Sequence, residues 1–432
     1  MTSPTKVRIL PLADFKPAAS SRAWVSIPNP NNLPLLATAS SDKTARVYSL
    51  KNFTLHSTLE GGHSRSVRSV AWKPAVGSSG VLSIATGSFD ATMGIWRRSE
   101  EEASGGGVEV EISELGEEKD EEADWEFAIV LEGHDSEVKN VAYSPSGQWL
   151  ASCSRDKSVW IWEDIGEEGD DEFETIAVLQ EHEADVKMTG MARCSRVLVM
   201  MRRFDLEGDD EGEWSQIALL KGHEGIVWCL DWEPEVSVKK LAVELDSTDE
   251  YPRPTPRLIS SSSDCSIRIW SIAPAPPPPN RPSYFNTGIP STMRPGPTNE
   301  TWECTATLPT AHDLPIYSIG WSSKSGRVVS TGGDGKIVIY EETKKGRSSV
   351  GGEIEREWII VGSIEGAHGP YEINHVAWCT RFDAGKKEEG EEMVISTGDD
   401  GAVRAWAIED IVEQGDGAVD PDAMNGVSVA VR

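Results

Sequence analysis

The chain has 432 residues, with 71 acidic side chains against 41 basic ones and a formal charge of -30. Most of that charge lies in three blocks: 99–126 has thirteen acids and one Lys, 163–174 eight acids and no base, and 205–213 six acids and no base, the pattern of solvated inserted loops. This excludes nucleic-acid or anionic-membrane binding through the global field and leaves only a local basic patch; with no bilayer-length apolar run and no leader-like opening, a soluble protein of the cytoplasm and also the nucleus is expected.

In chain order, the first predicted element is a strand over Lys6–Leu12. The first repeating unit follows, with Asp42 trailed six residues later by Tyr48 and preceded by four residues by Thr38. The second adds a histidine: His63, Trp72 nine residues on, then Thr86, Asp90 and Trp96. The third is His134, Tyr143, Ser152, Asp156 and Trp162; the fifth His223, Trp232, Ser260, Asp264 and Trp270; the sixth His312, Trp321, Ser330, Asp334 and Tyr340. In the seventh, His368 precedes Trp378 by ten residues and leads to Ser396, Asp400 and Trp406. Such a period identifies a repeat architecture. Within the third unit, GQWLASCSRDKSVWIWE reads as two strands of β-branched and aromatic residues around an Arg-Asp-Lys turn, where an Asp accepts backbone N–H groups.

The set His, Ser/Thr, Asp, Trp resembles the signature of WD40 proteins over residues 5–409. The resemblance implies an all-β, seven-bladed WD40 β-propeller. It also implies that His134 bridges Asp156 and Ser152, whose hydroxyl meets the Trp162 indole, with the same roles for His63, Thr86, Asp90 and Trp96 and for His223, Ser260, Asp264 and Trp270. A His/Ser/Asp trio also suggests a hydrolase triad, but a triad is needed once and this trio recurs in blade after blade. No GxSxG, HExxH or GxxxxGK motif is present, so no catalytic residue and no enzyme is expected. The six cysteines (153, 194, 229, 265, 304, 379) form no CxxC pair, so no metal or cofactor site is expected and buried free thiols are the plain reading. Twelve of the sixteen tryptophans fall at scheduled strand positions, which leaves no expected aromatic cage.

The last unit lacks a fourth strand after Trp406, so Lys6–Leu12 is expected to close the ring and remove exposed sheet edges. The fourth unit is degenerate. After QEHEADVK the chain reads MTGMARCSRVLVMMRRFDLEGDDEGEW, without the Asp-to-Trp hairpin. Two readings stand, a lost strand that opens a groove and an artefact such as a misplaced splice junction. Insertions are expected at 97–124, 163–173, 205–213, 235–256, 271–301 and 341–357, with a further one at 379–391, all on one face, and a disordered tail at 410–432. The opposite face keeps short histidine loops and Asp-tipped hairpins, a rigid surface that loses little entropy on binding. There Arg155, Lys157 and Lys139 cluster. Arg155 can meet a partner carboxylate bidentately or pair within its blade to Glu137. The Pro-rich 273–297 segment reads as a linker, with an SH3 or WW ligand as the alternative.

The stretches LEGHDSEVKNVAYSPSGQWLASCSRDKSVWIWE (131–163), LQEHEADVK (179–187), LKGHEGIVW (220–228) and AHGPYEINHVAW (367–378) narrow the match. They resemble the WD40 propellers of cytosolic iron–sulfur protein assembly, the propeller subunit of the cytosolic targeting complex. The resemblance implies a non-catalytic scaffold without a cluster of its own. Its implied partners are a small cysteine-bearing subunit, a helical-repeat adaptor, an iron-only-hydrogenase-like protein and the apo-proteins that receive [4Fe-4S] clusters. It assigns partner binding to Arg155, with Lys157 and Lys139 beside it, and to Glu372 and Asn374 of GPYEIN. The opening RAWVSIPNPNNLPLLATASS departs from the pattern by lacking a histidine loop. The competing function is a peptide-reading receptor of a ubiquitin ligase or signalling complex. The residues before the hairpin aspartates, Ser41, Phe89, Arg155, Ser263, Gly333 and Asp399, hold one Arg where a phosphopeptide reader needs several.

Overall fold

In the second strand of each unit, runs such as LLATAS, WLASCS and LISSS combine β-formers with small side chains, and nearly every residue is buried. A strand can be covered on both faces only when its sheet is stacked between two others. The computed structural model has that arrangement. It describes residues 6–75, 81–99, 125–166, 172–180, 182–192, 196–197, 201–204, 213–216, 218–234, 257–273, 301–347 and 354–411, and all regular structure among them is β-strand.

The sheets are four-stranded and antiparallel, and form the blades of a propeller. Blade one is Ala23–Pro28, Leu35–Ser40, Ala45–Ser49 and Leu55–Leu59. Blade two is Val67–Trp72, Val81–Ser88, Met93–Ser99 and Glu126–Leu131, and blade three is Val138–Tyr143, Trp149–Ser154, Val159–Asp164 and Phe173–Leu179. Blade five is Val227–Trp232, Leu258–Ser262, Ile267–Ile272 and Trp302–Thr307. Blade six is Ile316–Trp321, Val328–Gly332, Ile337–Arg347 and Ile354–Ile364. Blade seven is Ile373–Thr380, Glu392–Gly398 and Val403–Ile411, completed by the N-terminal strand Lys6–Asp14. Between blades three and five, four short strands pair in succession: Met191–Ala192, Arg196–Val197, Met201–Phe204 and Glu213–Gln216.

The closing strand is longer than Lys6–Leu12, running antiparallel to the last strand from the Lys6/Ile411 pair to the Asp14/Arg404 pair. Its Val7 and Ile9 are buried with Trp406, Val394 and Ile339, so it seals the joint between blades six and seven as well as completing a sheet. Blades seven and one share the cluster of Phe15, Leu36, Tyr48, Leu50, Met393 and Ile395. Two expected segments read differently in the structure. Residues 341–347 and 354–357 are not a loop but the extension of a long hairpin, in which Glu341 pairs with Ile359 and Arg347 with Ile354. Asp410 and Ile411 belong to the last strand rather than to a tail. The insertions at 97–124, 205–213, 235–256 and 271–301, and the rest of 410–432, lie wholly or mostly outside the described residues.

The buried hydroxyls of the second strands need partners, because an unmade hydrogen bond in a dry interior costs more than a made one returns. In blade three, His134 Nε2 lies 2.8 Å from Ser152 Oγ and its Nδ1 2.7 Å from Asp156, and the Trp162 indole donates to the same Ser152 Oγ at 3.0 Å. Asp156 also accepts the Asp135 and Ser158 N–H groups, which staples the histidine loop to the hairpin. Blade two repeats this with His63, Thr86, Asp90 and Trp96 (2.7, 3.3 and 3.0 Å) and blade five with His223, Ser260, Asp264 and Trp270 (2.7, 2.9 and 2.8 Å). His312 and His368 make the same bonds in blades six and seven. Blade one, without a histidine, replaces it by Arg46, which reaches Asp42 at 2.6 Å.

The glycine that precedes His63, His134 and His223 has a steric cause. A Cβ on Gly133 would lie 2.4 Å from the Trp160 ring, and one on Gly62 2.7 Å from Trp96. Gly133→Ala is therefore expected to cost about 1–3 kcal/mol through displacement of Trp160. Asp156→Ala, which orphans His134 and two N–H groups, should cost about 3 kcal/mol. Urea unfolding of the two variants beside the parent measures both.

Burial lowers the pKa of His134 and His223 below the imidazole value despite the Asp beside each. It pushes His375, on the first strand of blade seven beside Arg68, down to about 3. For a histidine depressed on folding, the unfolded chain binds more protons below pH 6.5. Its stabilisation is thus complete above that pH and is lost as pH falls toward the folded value. The melting temperature should fall steadily from pH 6.5 to 4, and His375→Gln should shallow the slope; an unchanged slope in thermal melts would contradict the assignment.

Candidate protein interface

The face carrying the histidine loops and Asp hairpins is shaped by one repeated irregularity. In each first strand the register slips by one residue opposite the end of the second strand, between Ala23 and Val25, Val67 and Ser69, Val138 and Asn140, Val227 and Cys229, Ile316 and Ser318, and Ile373 and His375. A bulge leaves one residue unpaired and re-aims its side chain. The skipped residues are Trp24, Arg68, Lys139, Trp228, Tyr317 and Asn374, one each from blades one, two, three, five, six and seven. All but Asn374 are aromatic or cationic, and they line the place where the first strands meet the hairpin face.

The ring is knitted by contacts between neighbours. The guanidinium groups of Arg22 and Arg68 lie 4.7 and 4.8 Å from the Trp24 ring, and Trp24 lies 6.1 Å from Phe89. Lys139 sits 4.4 Å over Phe89, Lys187 5.3 Å from Trp228, and Trp228 5.3 Å from Tyr317. Cation–π contacts of this kind are worth about 0.5–2 kcal/mol each, more where water is excluded. Burial and the neighbouring Glu372 push the Tyr317 phenol up to about 12.

Arg155 and Lys139 converge on Glu137, at 3.2 and 3.3 Å, and Arg65 approaches it at 3.7 Å. Burial would raise the Glu137 pKa, but Lys139 and Arg155 hold it below the usual range. Burial, with Lys187 and Arg68 nearby, depresses Lys139. One carboxylate shared by three cations leaves local positive charge on a strongly acidic chain. Arg155 pairs within its blade to Glu137 and keeps 59% of its side chain exposed. Lys157 is exposed at the hairpin tip, and its left-handed conformation (φ 72°) is shared by the residue after the Asp in each of these hairpins.

Glu372 and Asn374 separate in role. Glu372 is exposed. Asn374 is half-buried and donates to the Ala23 carbonyl (3.0 Å) and to Asp399 (2.8 Å), which also takes Arg22 at 2.5 Å. These bonds lock blade seven to blade one. Residue spacing gives no sign of the aromatic ring, nor of the exposure of Ile226, Leu314 and Tyr371, which stand 52%, 48% and 49% exposed on the histidine loops of blades five, six and seven. The face is thus divided, cationic over blades two and three and apolar over five to seven. The sequence held a clue: Trp24 and Trp228 are two of the four tryptophans outside the schedule.

Among the described residues, no group of three or more His, Cys, Asp or Glu could hold a metal ion. Cys153, Cys229 and Cys379 are buried free thiols whose pKa values burial raises.

Residues 125–163, 214–271 and 302–341 match the WD domain, G-beta repeat family. The chain is 64% identical over 446 residues to the probable cytosolic iron-sulfur protein assembly protein 1 of Botryotinia fuckeliana, covering 94% of this chain and 99% of the relative. It is 60% identical to the protein of that name in Sclerotinia sclerotiorum (93% and 96% covered) and 40% identical to that of Neurospora crassa (94% and 97%). With the WD40 repeats and this likeness along nearly its whole length, the chain belongs to the cytosolic iron-sulfur protein assembly protein 1 family.

Proposed function

We propose that this protein is a non-catalytic scaffold of cytosolic iron–sulfur protein assembly, working as a seven-bladed ring. The observation that carries this reading is identity of 64% and 60%, over nearly full length, to proteins named for that process. The short strands between Met191 and Gln216 act as a reduced fourth blade that fills the arc between blades three and five. The hairpin face is the docking surface. Exposed Arg155, with Lys157 and Lys139, receives a carboxylate-bearing partner, while Ile226, Leu314 and Tyr371 offer apolar contact and Glu372 borders them. Asn374 supports that surface by holding the ring joint.

The division of the face suits a scaffold. Charge at blades two and three steers an acidic partner and fixes its register, and exposed apolar loop residues supply desolvated contact area. The partners are the small cysteine-bearing subunit, the helical-repeat adaptor and the iron-only-hydrogenase-like protein of the assembly machinery, and the apo-proteins they load. The iron–sulfur cluster is cargo carried by these partners. Work in the cytoplasm, extending to the nucleus, goes with this role.

Affinity purification of the parent and of Arg155→Glu from cells tests the proposal. The exposed Arg155–Glu137 bridge contributes well under about 1 kcal/mol to folding, so the variant should melt within a degree or two of the parent. Recovery of iron–sulfur assembly factors should nonetheless drop at least tenfold. Recovery of ubiquitin-ligase subunits with the parent, or undiminished recovery of assembly factors with the variant, would refute it.

A further inference from the structure

On the end of the propeller opposite the hairpins, three turns between first and second strands enclose a cavity of ≈ 200 Å³ at the junction of blades six, seven and one. Pro28, Pro30 and Leu33 of blade one, Trp321 of blade six, and Trp378 and Phe382 of blade seven provide its apolar walls, with Glu392 and Asn29 among its polar lining. The two indoles are fixed, since Trp321 donates to the Gly326 carbonyl and Trp378 to that of Gly320, both at 3.1 Å. Glu392 accepts the Ser322 hydroxyl at 2.6 Å and the Lys324 backbone N–H at 3.3 Å. The Lys324 ammonium is paired with Glu388 at 2.6 Å, and these two donors to Glu392 are neutral groups. Asn29, 7% exposed, has an amide nitrogen with no hydrogen-bond partner.

The same molecule shows what such a set of groups accepts. The guanidinium of Arg257 lies 5.2 Å from the Trp321 ring and is clamped by Glu233 and Glu342 at 2.9 Å each. A cation over an indole, held by carboxylates, is thus already used at the edge of this cavity. The cavity repeats the indole and the carboxylate without a cation bonded to that carboxylate. A planar guanidinium with five donors and an aliphatic stem matches fixed rings, a carboxylate and apolar walls better than a compact, strongly hydrated ammonium does. We propose that this cavity binds an arginine side chain of a protein partner, with the guanidinium on Glu392, the stem along Trp378 and Phe382, and the Asn29 amide given to a backbone carbonyl of the same segment. The site is separate from the hairpin face and does not rest on its reading.

The test is titration of the full chain, labelled with 15N-tryptophan, with the peptide acetyl-Gly-Leu-Arg-Leu-Gly-amide, following indole resonances. Trp378 and Trp321 should shift, the analogue with citrulline for arginine should bind at least tenfold more weakly, and Glu392→Gln should weaken the arginine peptide by the same factor. Phe382→Ala leaves the bonds of Glu392 intact and should also weaken binding, which covers the case in which Glu392→Gln fails to fold. Absence of any shift at millimolar peptide, equal binding of the citrulline analogue, or shifts confined to Trp24 and Trp228 would overturn the assignment.

Discussion

The constraint on which this structure depends is the burial of the second strand of each blade on both faces. Such a strand can carry only small or well-packed side chains, and its Ser or Thr hydroxyl must find partners inside the protein. In the blades that carry a histidine the partners come from three directions: that histidine from the loop before the first strand, an indole (in blade six the Tyr340 phenol) from the third strand, and, through the histidine, an aspartate from the hairpin tip. Each bond is modest alone, but in a low-dielectric interior the chain is costly to leave half made. The result is a blade whose loops on one face are tied to its core.

That tie explains why the hairpin face is fit for recognition. The aspartates hold the backbone of both the histidine loop and the hairpin, so the side chains between them are presented by a fixed surface. The bulge in every first strand adds a second effect. It takes one residue per blade out of the alternating pattern and assigns it to a ring, where Arg68, Lys139, Trp24, Trp228 and Tyr317 meet although they are distant in sequence. Blade one and blade seven join through Arg22, Asn374 and Asp399 as well as through the N-terminal strand.

The two ends of the propeller differ in chemistry. Arginine and lysine outnumber carboxylates around Glu137, whereas the cavity at the other end holds Glu392 without a cation bonded to it. A body with opposite preferences on its faces can hold two partners without their competing, which is what an assembly scaffold requires.

Sequence alone determined the repeat, the histidine–aspartate–aromatic spacing and the closing N-terminal strand, because these rest on local alternation, on tight turns and on residues recurring at fixed separations. The family likeness was legible in SRDKSVWIWE and GPYEIN, and so was the exposure of Arg155, since a hairpin tip has nowhere else to point. Only the tertiary structure decided that residues 341–347 and 354–357 extend a hairpin, that Asn374 locks a blade joint, and that Trp24, Phe89, Trp228 and Tyr317 join one ring. The physical reason is that a one-residue bulge and a contact between blades depend on how whole sheets stack, and neither leaves a periodic mark in the chain.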